Sequence, residues 1–440
     1  MEKNTIIILG NGGREHAISQ AYEKSPNVNK IIVIPGNDFI SCNRRKEVIT
    51  YPNISIKDFN SILEIAKKEN PAIIDVAQDE PISLGAVDFF QSHGFKVFGP
   101  TKQASRIEWD KEWSREFMKK YNIPTPKFES FTDEEEAITY AKKLYSENIH
   151  KLVYIKATGL CAGKGALKST SLDEAIKNIK KMQEFGEAGR IFLIEEGLLG
   201  EEFSYYAIID GTHYKIFKSA QDNKTVYNFD EGDQTGGMGV ISPAKITKGF
   251  EEQIEKEQIE RLIQGMINEN HPYTGIIYLG GIFHEGKINT IEYNARWGDP
   301  ECQTVLPSLE TDYFELINAA IEQKLDQIEI QQDNKTRICV VGASRGYPID
   351  YSKAKNKRIY NLDKVKQLPD IEIFGAGIKI INNEPHTNGG RLFSIVASGN
   401  TVIEAQEKAY AAIAKIKIEG NNLHYRTDIG WRDVERELKN

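Results

Sequence analysis

Four short apolar runs near the N-terminus constrain the fold of this chain more than any other feature. Thr5–Leu9, Ile31–Ile34, Ile73–Ala77 and Lys96–Phe98 are strand-length, and helix-like stretches separate them: one to about Lys24, then Asp58–Lys68, then Leu84–Gln91. Short apolar runs alternating with helices predict β-α-β units and a parallel sheet. In such a sheet the loops after the strands share one edge, where α/β folds place ligands. The first run opens into Gly10-Asn11-Gly12-Gly13-Arg14-Glu15-His16, and the second ends at Pro35-Gly36-Asn37.

Beyond about residue 103 the character changes. Trp109–Tyr121 reads as a helix broken by Pro124-Thr125-Pro126, and Thr132 with Glu135 forms a capping box for a helix through Leu144. Leu152–Lys156 is a strand, followed by the glycine-rich Gly159–Gly165; Ser171 and Glu174 cap another helix, and Ile191–Ile194 is a strand. Strands Glu202–Ile209 and His213–Lys218 precede a long polar loop, Ser219–Ile241. A helix over Glu251–Asn268 and strands Gly275–Phe283 and Lys287–Glu292 follow. A further unit begins near Lys335 with strands Ile338–Val341 and Leu392–Ala397 and a helix capped by Thr401 and Glu404. A chain of 440 residues exceeds one core and divides into about two to four domains. The expected units are 1–103, 104–334 (with a subdomain of about 126–194) and 335–440.

A net charge of −8 argues against nucleic acid or an anionic membrane as the main partner. The cysteines Cys42, Cys161, Cys302 and Cys339 form no Cys-x-x-Cys pair, which fits a reducing cytoplasm and gives no zinc signature. The Ile6–Leu9 run is too short for a signal peptide, and no segment reaches membrane-spanning length. A cytoplasmic location is expected.

The densest chemistry lies in Thr290–Gln303. On a strand Glu292 and Asn294 share a face, roughly 7 Å apart at their Cα atoms. Two oxygen donors suit Mg²⁺, which takes few protein ligands and fills its shell with water and phosphate. Arg296 follows as a fork for a carboxylate or phosphate, before the turn Gly298-Asp299-Pro300. A polar strand end with a surface turn is the bland alternative for each residue taken singly. The first glycine loop fails the dinucleotide pattern because Glu15 stands where glycine is needed. Gly12 and Gly13 still offer N–H groups at a helix N-terminus, an anion site to which Arg14 and His16 could add. Gly159–Gly165 lacks the Ser/Thr of a Walker loop and is one residue short. It reads as a flexible phosphate cover between strands, with Lys156 just before it. Glu195-Glu196-Gly197-Leu198 and Glu202 are either a solvated strand exit or an adenine and ribose frame, and spacing alone favours the former.

Taken together these words resemble the ATP-grasp ligases and, more narrowly, the glycinamide ribonucleotide synthetase family. The match runs nearly end to end through Gly10–His16, Gly163-Lys164-Gly165, Thr235-Gly236-Gly237-Met238-Gly239, Glu292–Glu301, Thr387-Asn388-Gly389-Gly390-Arg391 and Asp428-Ile429-Gly430. The resemblance implies an ATP-grasp fold: an N-terminal parallel α/β domain, an α+β middle body with a mobile lid, and a small C-terminal domain. It implies ATP with Mg²⁺ (Mn²⁺ as a substitute) and ligation of glycine to 5-phosphoribosylamine through glycyl phosphate, by a monomer. By resemblance Glu292 and Asn294 hold the metal, and Lys111, Lys156, Gly163, Lys164 and Gly165 meet ATP phosphates. Asn294 also faces ATP, Glu195, Glu196 and Leu198 frame adenine, and Glu202 the ribose. Gly12, Gly13, Arg14, Asn37, Asp222, Arg296 and Asp299 bind the substrates, and Arg296, Lys156 and Lys111 act in catalysis. Departures from the family pattern fall at Ala77–Ile82, Asp110, Thr158, Asn223, Thr225 and Asp233-Gln234. They leave open a ligase for another acid or amine, or a non-catalytic nucleotide-binding regulator.

Overall fold

The computed structural model describes residues 4–147, 151–159, 161 and 165–439. The first sheet is fully parallel, with strands β1 (Asn4–Gly10), β2 (Val28–Pro35), β3 (Glu47–Thr50), β4 (Ile73–Val76) and β5 (Val97–Phe98) in the order β3-β2-β1-β4-β5. Its apolar runs are continuous because both faces are covered. Ile7 and Leu9 of β1 pack on one side with Ile62, Val87 and Phe90; Ile6 and Ile8 pack on the other with Tyr22, Tyr206 and Trp297. Helix α1 (Gly13–Lys24) follows β1, and α2 (Phe59–Glu69) is capped by Asp58, whose side chain accepts the Ser61 N–H. The single helix expected around Leu84–Gln91 is instead two, α3 (Asp79–Ser83) and α4 (Ala86–Ser92), divided at Gly85 with φ +89°. Strand β3 carries little apolar patterning and was not expected.

The helix expected over Trp109–Tyr121 also divides. Asp110 takes an extended conformation, ending α5 (Arg106–Trp109) and capping α6 (Lys111–Lys120) through the Trp113 N–H at 3.0 Å. Next come four antiparallel strands, β6 (Phe128–Phe131), β7 (Val153–Ala157), β8 (Ala166–Ser169) and β9 (Phe192–Glu196), in the order β6-β9-β7-β8. Two helices pack with them, α7 (Glu134–Glu147) and α8 (Leu172–Lys181). The capping box expected at Thr132 is displaced by one residue. Asp133 Oδ1 accepts the Glu135 and Glu136 N–H groups at 2.9 Å, a role open to any short acceptor just before the first turn. The Ser171/Glu174 and Thr401/Glu404 caps form as expected.

Strands β10 (Glu201–Asp210) and β11 (Tyr214–Ile216) begin the next sheet. The segment read as a long loop, 219–241, then contributes β12 (Gln221–Asp222) and β13 (Gly239–Ser242) to the sheet of Thr336–Ser344, Arg391–Gly399 and Ile371–Gly375. Strands so short draw their stability from partners distant in sequence, so local pattern did not show them. The chain returns through a helix with a π-helical turn at Glu255–Glu260 and closes the sheet β11-β10-β14-β15 with β14 (Thr274–His284) and β15 (Lys287–Asn294). Among the described residues no helix is long and apolar enough to cross a membrane.

Candidate active site

One continuous cleft of ≈ 1610 Å³ runs between the loop after β1, the β6–β9 unit, the ends of β14 and β15, and the 375–391 region. The period of two holds on β15: Glu292 and Asn294 point to one face, with Asn294 Nδ2 donating to Glu292 Oε1 at 3.4 Å. Burial alone would raise the Glu292 pKa, but Lys224, Lys111 and Lys156 outweigh it and hold the carboxyl at about 2. Among the described residues no group of three or more His, Cys, Asp or Glu side chains is gathered for a metal. A cation beside Glu292 and the Asn294 oxygen would therefore take most of its ligands from phosphate and water, which is Mg²⁺ chemistry. The donor set fits that ion.

Arg296 is less open than its sequence suggests. Its Nη2 sits 2.8 Å from Glu108 Oε1 and donates to Asn294 Oδ1 at 3.2 Å, while Nη1 donates to the Trp297 carbonyl at 3.1 Å. Glu108 Oε2 accepts the Ala295 N–H at 2.7 Å, so one carboxylate aims the arginine and pins the strand end. Sequence reasoning missed Glu108, because only the tertiary fold brings α5 beside β15.

Lys111 opens α6, and its backbone N–H is bonded to the Thr158 carbonyl beyond β7. Lys156 Nζ lies 2.5 Å from Glu195 Oε2, and Arg115 Nε lies 2.6 Å from Glu195 Oε1. Despite burial, Arg115 and Lys156 hold the Glu195 carboxyl at about 2. Arg115 also donates to Thr125 Oγ1 and to the carbonyls of Thr290 and Ile291, tying α6 to β15. The Glu195 side chain is thus occupied by cations, while the residue itself lines the cleft. Glu196 and Leu198 line the cleft. Arg115 was also missed, although it stands one helical turn after Lys111 on the same face. Lys224 is a third omission: it faces Glu292 and approaches Glu202 Oε2 at 3.8 Å.

The first glycine loop corrects two expectations. Glu15 Oε2 accepts the Gly12 N–H at 2.6 Å, and Oε1 accepts Arg14 Nε at 2.6 Å, so that N–H is not open to a phosphate. A carboxylate of the chain itself fills part of the helix-terminus site. His16 is fully buried against Phe39 and Phe374, and its Nδ1 accepts the Gly375 N–H at 3.0 Å. Burial, with Arg44 and Lys366 nearby, holds its pKa well below the usual imidazole value. It joins α1 to the Ile371–Gly375 strand and does not reach the cleft. Arg14 does line it, and its Nη1 donates at 3.0 Å to the same Trp297 carbonyl that receives Arg296. Two arginines from distant parts of the chain therefore converge on one oxygen.

Gly13 starts α1, where Gln303 packs close to its Cα. Asn37 Nδ2 bridges the carbonyls of Asn11 and Gly375 at the cleft edge. Asp299 accepts from Gln303 at 2.7 Å and lies 3.4 Å from Arg391. Asp222, Glu202 and Gly165 line the cleft as well. Gly163 and Lys164 lie outside the described residues.

Family models for the phosphoribosylglycinamide synthetase N domain, ATP-grasp (A) domain and C domain match residues 4–108, 109–302 and 337–432. The chain is 38% identical over 442 residues to the phosphoribosylamine–glycine ligase of Vibrio vulnificus (strain CMCP6), covering 98% of this chain and 99% of that one. A crystal structure of phosphoribosylamine–glycine ligase from Thermotoga maritima is similar at 30% identity with a TM-score of 0.80, over 96% of this chain and 99% of that one. The biotin carboxylase domain of 2-oxoglutarate carboxylase from Hydrogenobacter thermophilus, in complex with ADP and its magnesium salt, shares the fold. It is 15% identical with a TM-score of 0.69, over 96% of this chain and 92% of that one.

Proposed function

Because this chain belongs to the phosphoribosylglycinamide synthetase family, we infer that its cleft joins three small molecules in the order the family's chemistry requires. The reaction is the ATP-dependent ligation of glycine to 5-phosphoribosylamine, a step of purine biosynthesis. A glycine carboxylate oxygen attacks the γ-phosphorus of ATP, and ADP leaves. The amine of phosphoribosylamine then attacks the carbonyl carbon of glycyl phosphate, the C–O bond to phosphate breaks, and the amine proton is released.

Positioning and charge neutralisation carry both steps. The observation behind this reading is that Glu292, Asn294 and Arg296 at the end of β15 share one cleft with Lys111, Lys156 and Lys224. Lys111 and Lys156 meet the nucleotide phosphates, Glu196 and Leu198 frame the adenine, and Glu202 takes the ribose. Arg296, aimed by Glu108, orients glycine's carboxylate. Gly13, Arg14, Asn37 and Asp299 form the phosphoribosylamine side. Mg²⁺, held by Glu292 and Asn294, supplies charge neutralisation on the phosphates. Residues 1–103, 104–334 and 335–440 act as three domains, with about 126–194 as the lid. The working form is a cytoplasmic monomer.

The test is ADP release with glycine and freshly generated phosphoribosylamine, beside other amino acids and amines. Release that requires both is expected. Release that needs glycine but ignores phosphoribosylamine would point to a different amine acceptor, which the altered 77–82 and 221–234 segments would then explain.

A further inference from the structure

Strand β4 reads Ile-Ile-Asp-Val, and its acid, Asp75, has no part in the reaction described above. Asp75 lies between Ile8 of β1 and Phe98 of β5 in the parallel sheet and is only 3% exposed. Those flanking strands bring it no charge, and a carboxyl is a poor occupant of such a strand. Tyr22 Oη, from α1, donates to Asp75 Oδ2 at 2.9 Å, and among the described residues no cation forms an ion pair with that carboxyl. The Tyr22 ring is held edge-on against Tyr313 of the helix Tyr313–Ile321, with centroids 4.9 Å apart. Tyr313 Oη in turn accepts Trp297 Nε1 at 3.4 Å.

The charges that reach Asp75 come from the start of α1. They are Glu15 and Arg14, which are paired with each other at 2.6 Å. Cys302, in the helix Glu301–Val305, faces the same interior, with Sγ 3.9 Å from the Arg14 carbonyl, and burial keeps its thiol protonated. Burial pushes the Asp75 carboxyl up to about 7 against the Tyr22 hydrogen bond, with Glu15 adding to the rise and Arg14 opposing it. Arg14 lines the cleft, while Glu15 and the Trp297 carbonyl fix its guanidinium. Asp75 is therefore a variable charge behind a fixed cation. When ionised it subtracts from the positive potential that Arg14 presents to an anion.

We propose that Asp75 is a positioning residue that acts through Glu15 and Arg14, its carboxylate weakening the cleft's hold on the phosphoribosyl ligand and its protonation restoring it. This rests on the reading that Arg14 belongs to the phosphoribosylamine side, and it adds a proton-controlled setting of that side. Asp75 itself touches no substrate.

The test is calorimetric titration of the ligation product, glycinamide ribonucleotide, into the full-length protein between about pH 6 and 8.5. The wild type and Asp75→Asn are compared, since an amide can still accept from Tyr22 but cannot ionise. The ligand's own phosphate titrates in both experiments, so the ratio of the two affinities reports Asp75. The two proteins should bind alike near pH 6, and the variant should bind about 3- to 15-fold tighter near pH 8.5. A ratio that does not change with pH, whatever its size, overturns the proposal and reduces Asp75 to packing. Tyr22→Phe decides the matter should Asp75→Asn fail to fold. It removes the bond that favours the ionised form, so the wild-type fall in affinity should move to higher pH, and an unmoved fall overturns the proposal. Affinity for a non-hydrolysable ATP analogue, unchanged in each variant, shows that it is folded. A wild type that takes no product at any pH overturns the ligase reading, and this proposal with it.

Discussion

Glu195 and Asp222 face the same cleft and are treated in opposite ways. Glu195 is clamped between Arg115 and Lys156, and its carboxyl is held at about 2. Asp222 has an acidic neighbour in Glu301 and an oxygen with no partner. The contrast separates acids that build the site from acids that wait for a ligand. Glu195 sets the position of Lys156 and, through Arg115, the carbonyls of Thr290 and Ile291 just before Glu292. Glu292 belongs to neither class alone: three lysines hold it ionised, none forms a direct ion pair with it among the described residues, and Asn294 Nδ2 reaches its Oε1 only at 3.4 Å.

The largest effect is expected where an acid waits for the metal. Glu292→Ala should abolish ATP turnover in a protein that still unfolds cooperatively, and undiminished Mg²⁺-dependent turnover would remove Glu292 from the metal site. Next comes the clamped acid. Glu195→Gln leaves two buried cations uncompensated and should cost about 3–5 kcal/mol of stability, read from urea unfolding. A loss below about 1 kcal/mol would mean that the clamp is a surface-type pair. The sign of its pH dependence follows from the depressed pKa. The stabilisation is fully present above the unfolded carboxylate value of about 4.5 and is lost as pH falls toward 2. The Glu195→Gln variant should therefore show a flatter acid limb of stability than the wild type. The smallest effect on stability belongs to the waiting acid. Asp222→Asn removes a carboxylate that has no direct ion pair among the described residues, so ligand-free stability should shift by less than about 1 kcal/mol or rise. A loss as large as that of Glu195→Gln would erase the distinction between the two acids.

The sequence made some of this visible for physical reasons. The β1, β2 and β4 runs were readable because both faces of that sheet are buried. Glu292 and Asn294 were readable because a strand places alternate residues on one face. Arg115 carried a signal that went unused, one turn beyond Lys111. Glu108, Lys224 and the strands β12 and β13 carried none, since their partners lie far away in sequence and only the folded chain brings them together. The loop at Gly12 misled in part. A glycine-rich helix start attracts anions, but nothing local reveals that Glu15 turns back onto it, or that His16 turns away to meet Gly375.

The reaction assigned to the cleft leaves a mark that one measurement can read. Glycine carrying ¹⁸O in its carboxylate is turned over with ATP and phosphoribosylamine, and the inorganic phosphate is analysed by mass spectrometry. If the carboxylate attacks the γ-phosphorus and the amine then displaces phosphate, each phosphate released from fully labelled glycine carries one ¹⁸O atom. Phosphate without label, formed at the rate of ligation, would contradict a glycyl phosphate intermediate and the roles built on it.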